Sequence, residues 1–146
     1  MKVTALEEYG LRCMLMFAKT PEKSLTIPEI SEHEGLSLPY TGKLLMILKK
    51  SDLVKAERGR NGGYSLTKPP EEINLKDIFS ALGDSLYGAH HCDKYSTQDE
   101  CCVHAGSCQV GGLWSMFDHY ITEVLKNVTL ADIAAGKINY RELIST

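Results

Sequence analysis

The stretch from Thr26 to Leu66 constrains the fold of this chain more than any other. Thr26 and Glu29 form a T-x-x-E capping box that opens a short helix, and Gly35 closes it. Ser37 stands where it can cap the next helix, with Pro39 in the first turn and Leu44, Leu45, Ile47 and Leu48 along the inner side. Two helices that meet across Glu34-Gly35-Leu36-Ser37 make a helix-turn-helix. Directly after it, Asp52–Glu57 reads as a short strand, Arg58-Gly59-Arg60-Asn61-Gly62-Gly63 as a basic, glycine-rich tip, and Tyr64–Leu66 as the returning strand. A hairpin in that place is a wing. The expected fold is mainly α with a small β-hairpin wing, a winged helix-turn-helix.

The flanks extend this unit on both sides. A second T-x-x-E box, Thr4 to Glu7, opens a helix whose stripe is Leu6, Tyr9, Cys13, Met16 and Phe17, and Thr20, Pro21 and Lys23 end it. After Pro69 and Pro70, Asn74 caps a helix that runs through Ile78, Phe79 and Leu82 to Gly83. Residues 84–111 are rich in Gly, His, Cys and Asp without apolar periodicity, the mark of a long functional loop. Beyond it, Leu113, Met116, Phe117, Tyr120, Ile121, Val124, Leu125 and Val128 form the strongest amphipathic stripe in the chain. A small winged helix already has its own core, so this stripe is expected to pair with its copy in a two-fold dimer. Thr129 opens a last short helix that ends at Gly136. The expected organisation is a DNA-binding unit over 1–83, a cysteine-rich loop over 84–111, and a dimerisation helix with a C-terminal tail over 112–146.

Net charge is misleading here. The chain of 146 residues sums to -3, yet residues 41–70 alone carry Lys43, Lys49, Lys50, Lys55, Arg58, Arg60 and Lys68 against only Asp52 and Glu57. Both flanking segments are acidic. A basic block lying on the helix-turn-helix and its wing is one face built for an anionic partner. No apolar run approaches the ~18 residues of a membrane span, and acids at Glu7 and Glu8 stand where an export signal would be apolar. A cytoplasmic protein without a membrane partner is expected.

In a reducing compartment, clustered cysteines argue for metal or redox chemistry before disulfides. Cys92, Cys101, Cys102 and Cys108 lie close together, with His90, His91 and His104 nearby, whereas Cys13 sits on the apolar stripe of the first helix as a core residue. No C-x-x-C pair is present, which disfavours a zinc knuckle. Thiolates in a loop suit an iron–sulfur cluster or zinc. There is no phosphate-binding GKS or GKT loop, no H-E-x-x-H and no Ser/His/Asp constellation, so the chain is not expected to be an enzyme.

Several segments together resemble one family. They are Glu8-Tyr9-Gly10-Leu11-Arg12, the turn Gly35 to Tyr40, the wing Arg58 to Tyr64, three cysteines before Trp114 and the long helix, and Val128 to Asp132. Nearly the whole chain resembles the Rrf-two family of winged-helix iron–sulfur transcription regulators, in its IscR-like and NsrR-like branches. The resemblance implies a homodimeric regulator of palindromic double-stranded DNA operators that senses iron–sulfur status, redox state or nitric oxide through a cluster near the dimer helix. It places Cys92 and Cys108 as the outer ligands and either Cys102, which leaves the commoner spacing, or Cys101 as the middle one. Where IscR-like members carry a histidine as fourth ligand, this chain has Gly111. Glu8 matches the acid that NsrR-like members donate from the partner's first helix, and His104 is a third option. A 2Fe–2S cluster is favoured, with 4Fe–4S the other option. The alternative keeps the DNA binding and replaces the cluster with zinc or a thiol redox switch at Cys101 and Cys102.

The DNA contacts follow from docking geometry. The second helix of the motif enters the major groove, placing Ser37, Pro39, Tyr40 and Lys43 near bases and phosphates. For Tyr40, packing against the first helix is the competing role. Arg58 and Arg60 suit the minor groove, and Asn61, Gly62 and Gly63 let the hairpin backbone come close.

Overall fold

The computed structural model describes residues 3–59, 62–83, 102, 104 and 107–138. Helix α1 (Ala5–Lys19) begins at the expected capping box, with the Thr4 hydroxyl accepting the Glu7 amide and the Glu7 carboxylate accepting the Thr4 amide. Helix α2 (Ile27–Glu34) has the same box at Thr26 and Glu29, and ends at Gly35 with φ 66°, a left-handed cap that favours glycine. Ser31 Oγ then donates to Leu36 O at 2.5 Å and locks the turn. Helix α3 (Leu38–Lys50) starts at Ser37, whose hydroxyl accepts the Tyr40 amide. The buried Thr41 hydroxyl donates back to Ser37 O at 3.1 Å.

The wing is a two-stranded antiparallel hairpin, β1 (Val54–Glu57) and β2 (Gly63–Leu66), paired from Val54↔Leu66 to Glu57↔Gly63. Leu25 adds a single antiparallel rung to Tyr64, exchanging both backbone bonds at 2.9 and 2.8 Å. The hairpin is thereby tied to the chain entering α2. A 3-10 turn (Pro70–Glu72) leads into α4 (Leu75–Leu82), capped by Asn74 as expected. Helix α5 (Gln109–Lys126) and helix α6 (Leu130–Ala134) complete the described elements.

One core joins these elements. Met14, Phe17, Ile30, Leu44, Leu45, Leu48, Ile78 and Leu130 are fully buried in it. On α1 the buried residues are Gly10, Cys13, Met14 and Phe17, while Leu6, Tyr9 and Met16 of the expected stripe are half-buried at its edge. Gly10 sets this face: a Cβ there would run into the Leu82 side chain, so α4 lies directly on the glycine. The C-terminal segment returns to the same core. Leu75 N–H donates to Val128 O and Leu130 N–H to Ile73 O, and α6 packs on α1. The last helix, expected within the C-terminal segment 112–146, contributes Leu130 to the core of the winged unit.

Candidate functional site

The outer surface of α3 and the wing carries the positive charge. Lys43, Lys49, Lys50 and Arg58 are all exposed, and none of them pairs with a described carboxylate. Pro39 is exposed in the first turn, and so is Ser37 at the cap. Lys55 is partly neutralised by Glu57 at 3.4 Å, and the Ser65 hydroxyl bond and this ammonium hold the Glu57 carboxyl below its ordinary range. Unpaired cations on one face are free to displace counterions from a polyanion.

The Tyr40 ring packs against α1. Its half-buried ring stands edge-on to Tyr9 of α1, with centroids 6.2 Å apart and planes at 89°. The Arg12 guanidinium lies over the Tyr9 ring at 5.7 Å and pairs with Glu8 at 2.6 Å. Arg12, to which sequence reasoning gave no role, therefore connects Glu8 to the aromatic pair between α1 and α3.

At the wing tip, Arg60 and Asn61 lie outside the described residues. Gly62 donates its N–H to Gly59 O at 3.1 Å, closing the tip. A Cβ on Gly63 would sit 2.7 Å from Leu25 O. The rung to Leu25 thus demands this glycine by itself, whatever approaches the wing from outside.

Of the candidate cysteine ligands, Cys108 stands at the start of α5. Cys108 is its N-cap: the sulfur accepts the Gly111 N–H at 3.1 Å. The helix begins at Gln109, three residues before the boundary at 112 that the sequence suggested. Cys102 and Cys108 are free thiols, both half-buried, and His104 is exposed. Cys92 and Cys101 lie outside the described residues. A sulfur at the head of a helix suits a soft metal in kind, although among the described residues no three His, Cys, Asp or Glu side chains converge. Cys13 is different. It is buried in the core, where desolvation, helped by the nearby Glu34 charge, pushes its thiol up to about 12.

Helix α5 presents its apolar face outward. Leu113, Met116, Phe117, Tyr120 and Val124 are exposed, from Phe117 at 42% to Tyr120 at 64%, and Trp114 joins them beside Phe117. Ile121 and Leu125 are half-buried, and Leu125 and Val128 turn back onto the core. Among the described residues, no helix is long and apolar enough to cross a membrane.

Comparison with known proteins agrees with this architecture. The IscR transcriptional regulator of Pectobacterium carotovorum subsp. carotovorum is 33% identical over 138 residues, covering 94% of this chain and 81% of that protein. Among solved structures, T. potens IscR has a TM-score of 0.71 at 29% identity, covering 100% of this chain and 93% of the other. CymR, described as the global cysteine regulator of B. subtilis, also has a TM-score of 0.71 at 29% identity, covering 92% of this chain and 97% of its own. These relatives are named as regulators, not enzymes. The model of the Rrf2 family, described as an iron-dependent transcriptional regulator, matches residues 3–136. The chain belongs to the Rrf2 family of transcriptional regulators and binds DNA in that role.

Proposed function

We propose that this regulator works as a homodimer on a palindromic operator and senses iron–sulfur status, redox state or nitric oxide through a bound iron–sulfur cluster. The observation that carries the reading is the position of Cys108, which caps the helix whose apolar face is exposed. A ligand thiolate at that point would tie a metal site to the dimer helix, where Cys108 holds the start of α5 and could pass a change in ligation to the position of the reading heads. Cys92, Cys108 and either Cys101 or Cys102 supply the thiolates, with Glu8 of the partner subunit or His104 as the fourth ligand. A bound cluster would supply electron transfer and reactivity toward oxidants. The chain contributes its soft donors and the amide bond to the Cys108 sulfur, of the kind that tunes cluster potentials. Within one chain Glu8 is engaged by Arg12, so ligation would compete with that ion pair.

On the DNA side, Ser37, Pro39, Tyr40 and Lys43 sit at the start of α3, and the wing adds Arg58, Arg60, Asn61, Gly62 and Gly63. The half-buried Tyr40 ring orients α3, which leaves the phosphate contacts to Lys43, Arg58 and Arg60. Visible absorption of anaerobically purified protein, with iron and acid-labile sulfide counted per chain, tests the sensor. A colourless protein that holds neither iron nor sulfide after anaerobic reconstitution would refute it.

The likeness to CymR favours a second reading, in which a thiol switch or zinc replaces the cluster on the same DNA-binding scaffold. DNA affinity that responds to a thiol oxidant in iron-free protein would support a thiol switch, and stoichiometric zinc would support the other.

A further inference from the structure

The exposed face of α3 is unusual for a helix that reads DNA. Leu38 and Met46 are 53% and 69% exposed, and Gly42 lies between them on the same helical face, one turn from each. The remaining outward residues are Pro39, Lys43, Lys49 and Lys50. The helix carries no Arg, Asn, Gln, Asp or Glu, so the paired hydrogen bonds that read adenine or cytosine are unavailable from it, and lysine alone is left to reach a guanine edge. Along it runs an apolar ridge about 12 Å long, at 1.5 Å per residue, with Lys43 and Lys50 along one edge and Lys49 at its C-terminal end, charges that suit phosphate.

Gly42 carries the argument further. Glycine inside a helix costs stability relative to alanine. A Cβ on Gly42 would meet only Ile27 Cδ1, at an ordinary 3.9 Å. The fold therefore has no need of a glycine there. Its use lies on the open side, where a missing side chain lets the α3 backbone come close to whatever the ridge faces.

We propose that α3 recognises its operator through thymine C5-methyl groups, with Leu38 and Met46 packing on methyls in the major groove and Gly42 permitting close approach between them. The proposal rests on the reading that α3 enters the major groove. The methyl is the one apolar feature a base edge offers in that groove. Base identity is thus read by shape and apolar contact, while the lysines anchor the phosphates.

The test begins with selection of a bound duplex from a random-sequence pool, using the full chain purified anaerobically. The selected duplex is then synthesised with deoxyuridine replacing thymine one position at a time, which removes the methyl and leaves the minor groove and the pairing intact. At positions facing α3, affinity should fall by about fourfold per methyl, the worth of burying one such group. Leu38→Ala and Met46→Ala should each bind more weakly and become insensitive to uracil at one position, as residues that touch the same group must. Gly42→Ala should melt a few degrees higher and yet bind the duplex at least severalfold more weakly. A duplex bound equally well with uracil throughout, or a Gly42→Ala protein with undiminished affinity, would overturn the proposal while leaving operator binding intact. A pool with no enriched sequence would instead remove the operator reading on which it rests.

Discussion

The sulfur of Cys108 accepts the amide hydrogen of Gly111 at 3.1 Å and so caps the helix that presents the exposed apolar face. One atom is thereby both the cap of α5 and a candidate metal ligand, and substitution can separate the two roles. Serine is among the best N-caps, whereas loss of a cap to alanine costs about 1 kcal/mol. Cys108→Ser should keep the melting temperature of the metal-free protein and lose the iron. Cys108→Ala should lose both. Full iron content in Cys108→Ser would remove Cys108 from the ligand set.

Gly10 tests the packing of α1 on α4. Helix propensity alone would favour alanine by up to about 1 kcal/mol. Here the added Cβ enters the space of Leu82, which is buried and has little room to yield. Overpacking of this kind costs about 1–3 kcal/mol, so Gly10→Ala should be destabilising on balance, with a melting temperature several degrees lower. A higher melting temperature would mean that α4 moves away freely.

The elements that were legible in the sequence share a physical cause. Thr4, Thr26, Ser37, Asn74 and Thr129 each cap their helix through a bond to a backbone amide three residues on, and chemistry of such short range is written in the local sequence. Contacts between distant elements were less legible. Met14 is fully buried although the stripe read from the sequence included Met16 instead, because Leu82 resting on Gly10 fixes which side of α1 faces inward. Leu130 fills the main core through backbone pairing with Ile73 that no local pattern announces. At the candidate site, the basic character of α3 and the wing was visible from charge alone. The engagement of Tyr40 by Tyr9 and of Glu8 by Arg12 depends on how α1 crosses α3, and spacing within one helix does not encode that.

The dimer reading is tested on α5 at a residue the monomer does not need. Phe117 is 42% exposed within one chain. Phe117→Glu should leave the helical content of the chain unchanged, whereas in a two-fold interface it would bury an unpaired carboxylate at a cost of several kcal/mol. Light scattering should report a monomer, and operator binding should fall with it. A Phe117→Glu protein that remains dimeric at micromolar concentration would place the interface elsewhere.

Acid should loosen the helix-turn-helix through Glu29. The bond from the Lys23 ammonium, followed by the Thr26 amide and hydroxyl bonds of the capping box, lowers its carboxyl from 4.5 to about 2. A carboxyl held below its unfolded value binds protons more readily once the chain unfolds. Its stabilisation is therefore complete above about pH 4.5 and is lost as pH falls toward about 2. Glu29→Gln keeps a side chain that can complete a capping box but removes the titration and the ion pair with Lys23. The variant should melt below the parent at pH 6, and the gap should narrow steadily between pH 4.5 and pH 2. The carboxyls of Glu57, Glu123 and Asp132 are also held low, but they titrate in both proteins and cancel in the comparison. Thermal melts at low ionic strength, where exposed pairs are least screened, give the clearest reading. Two curves that stay parallel down to pH 2 would show that Glu29 contributes no pH-dependent stability to α2.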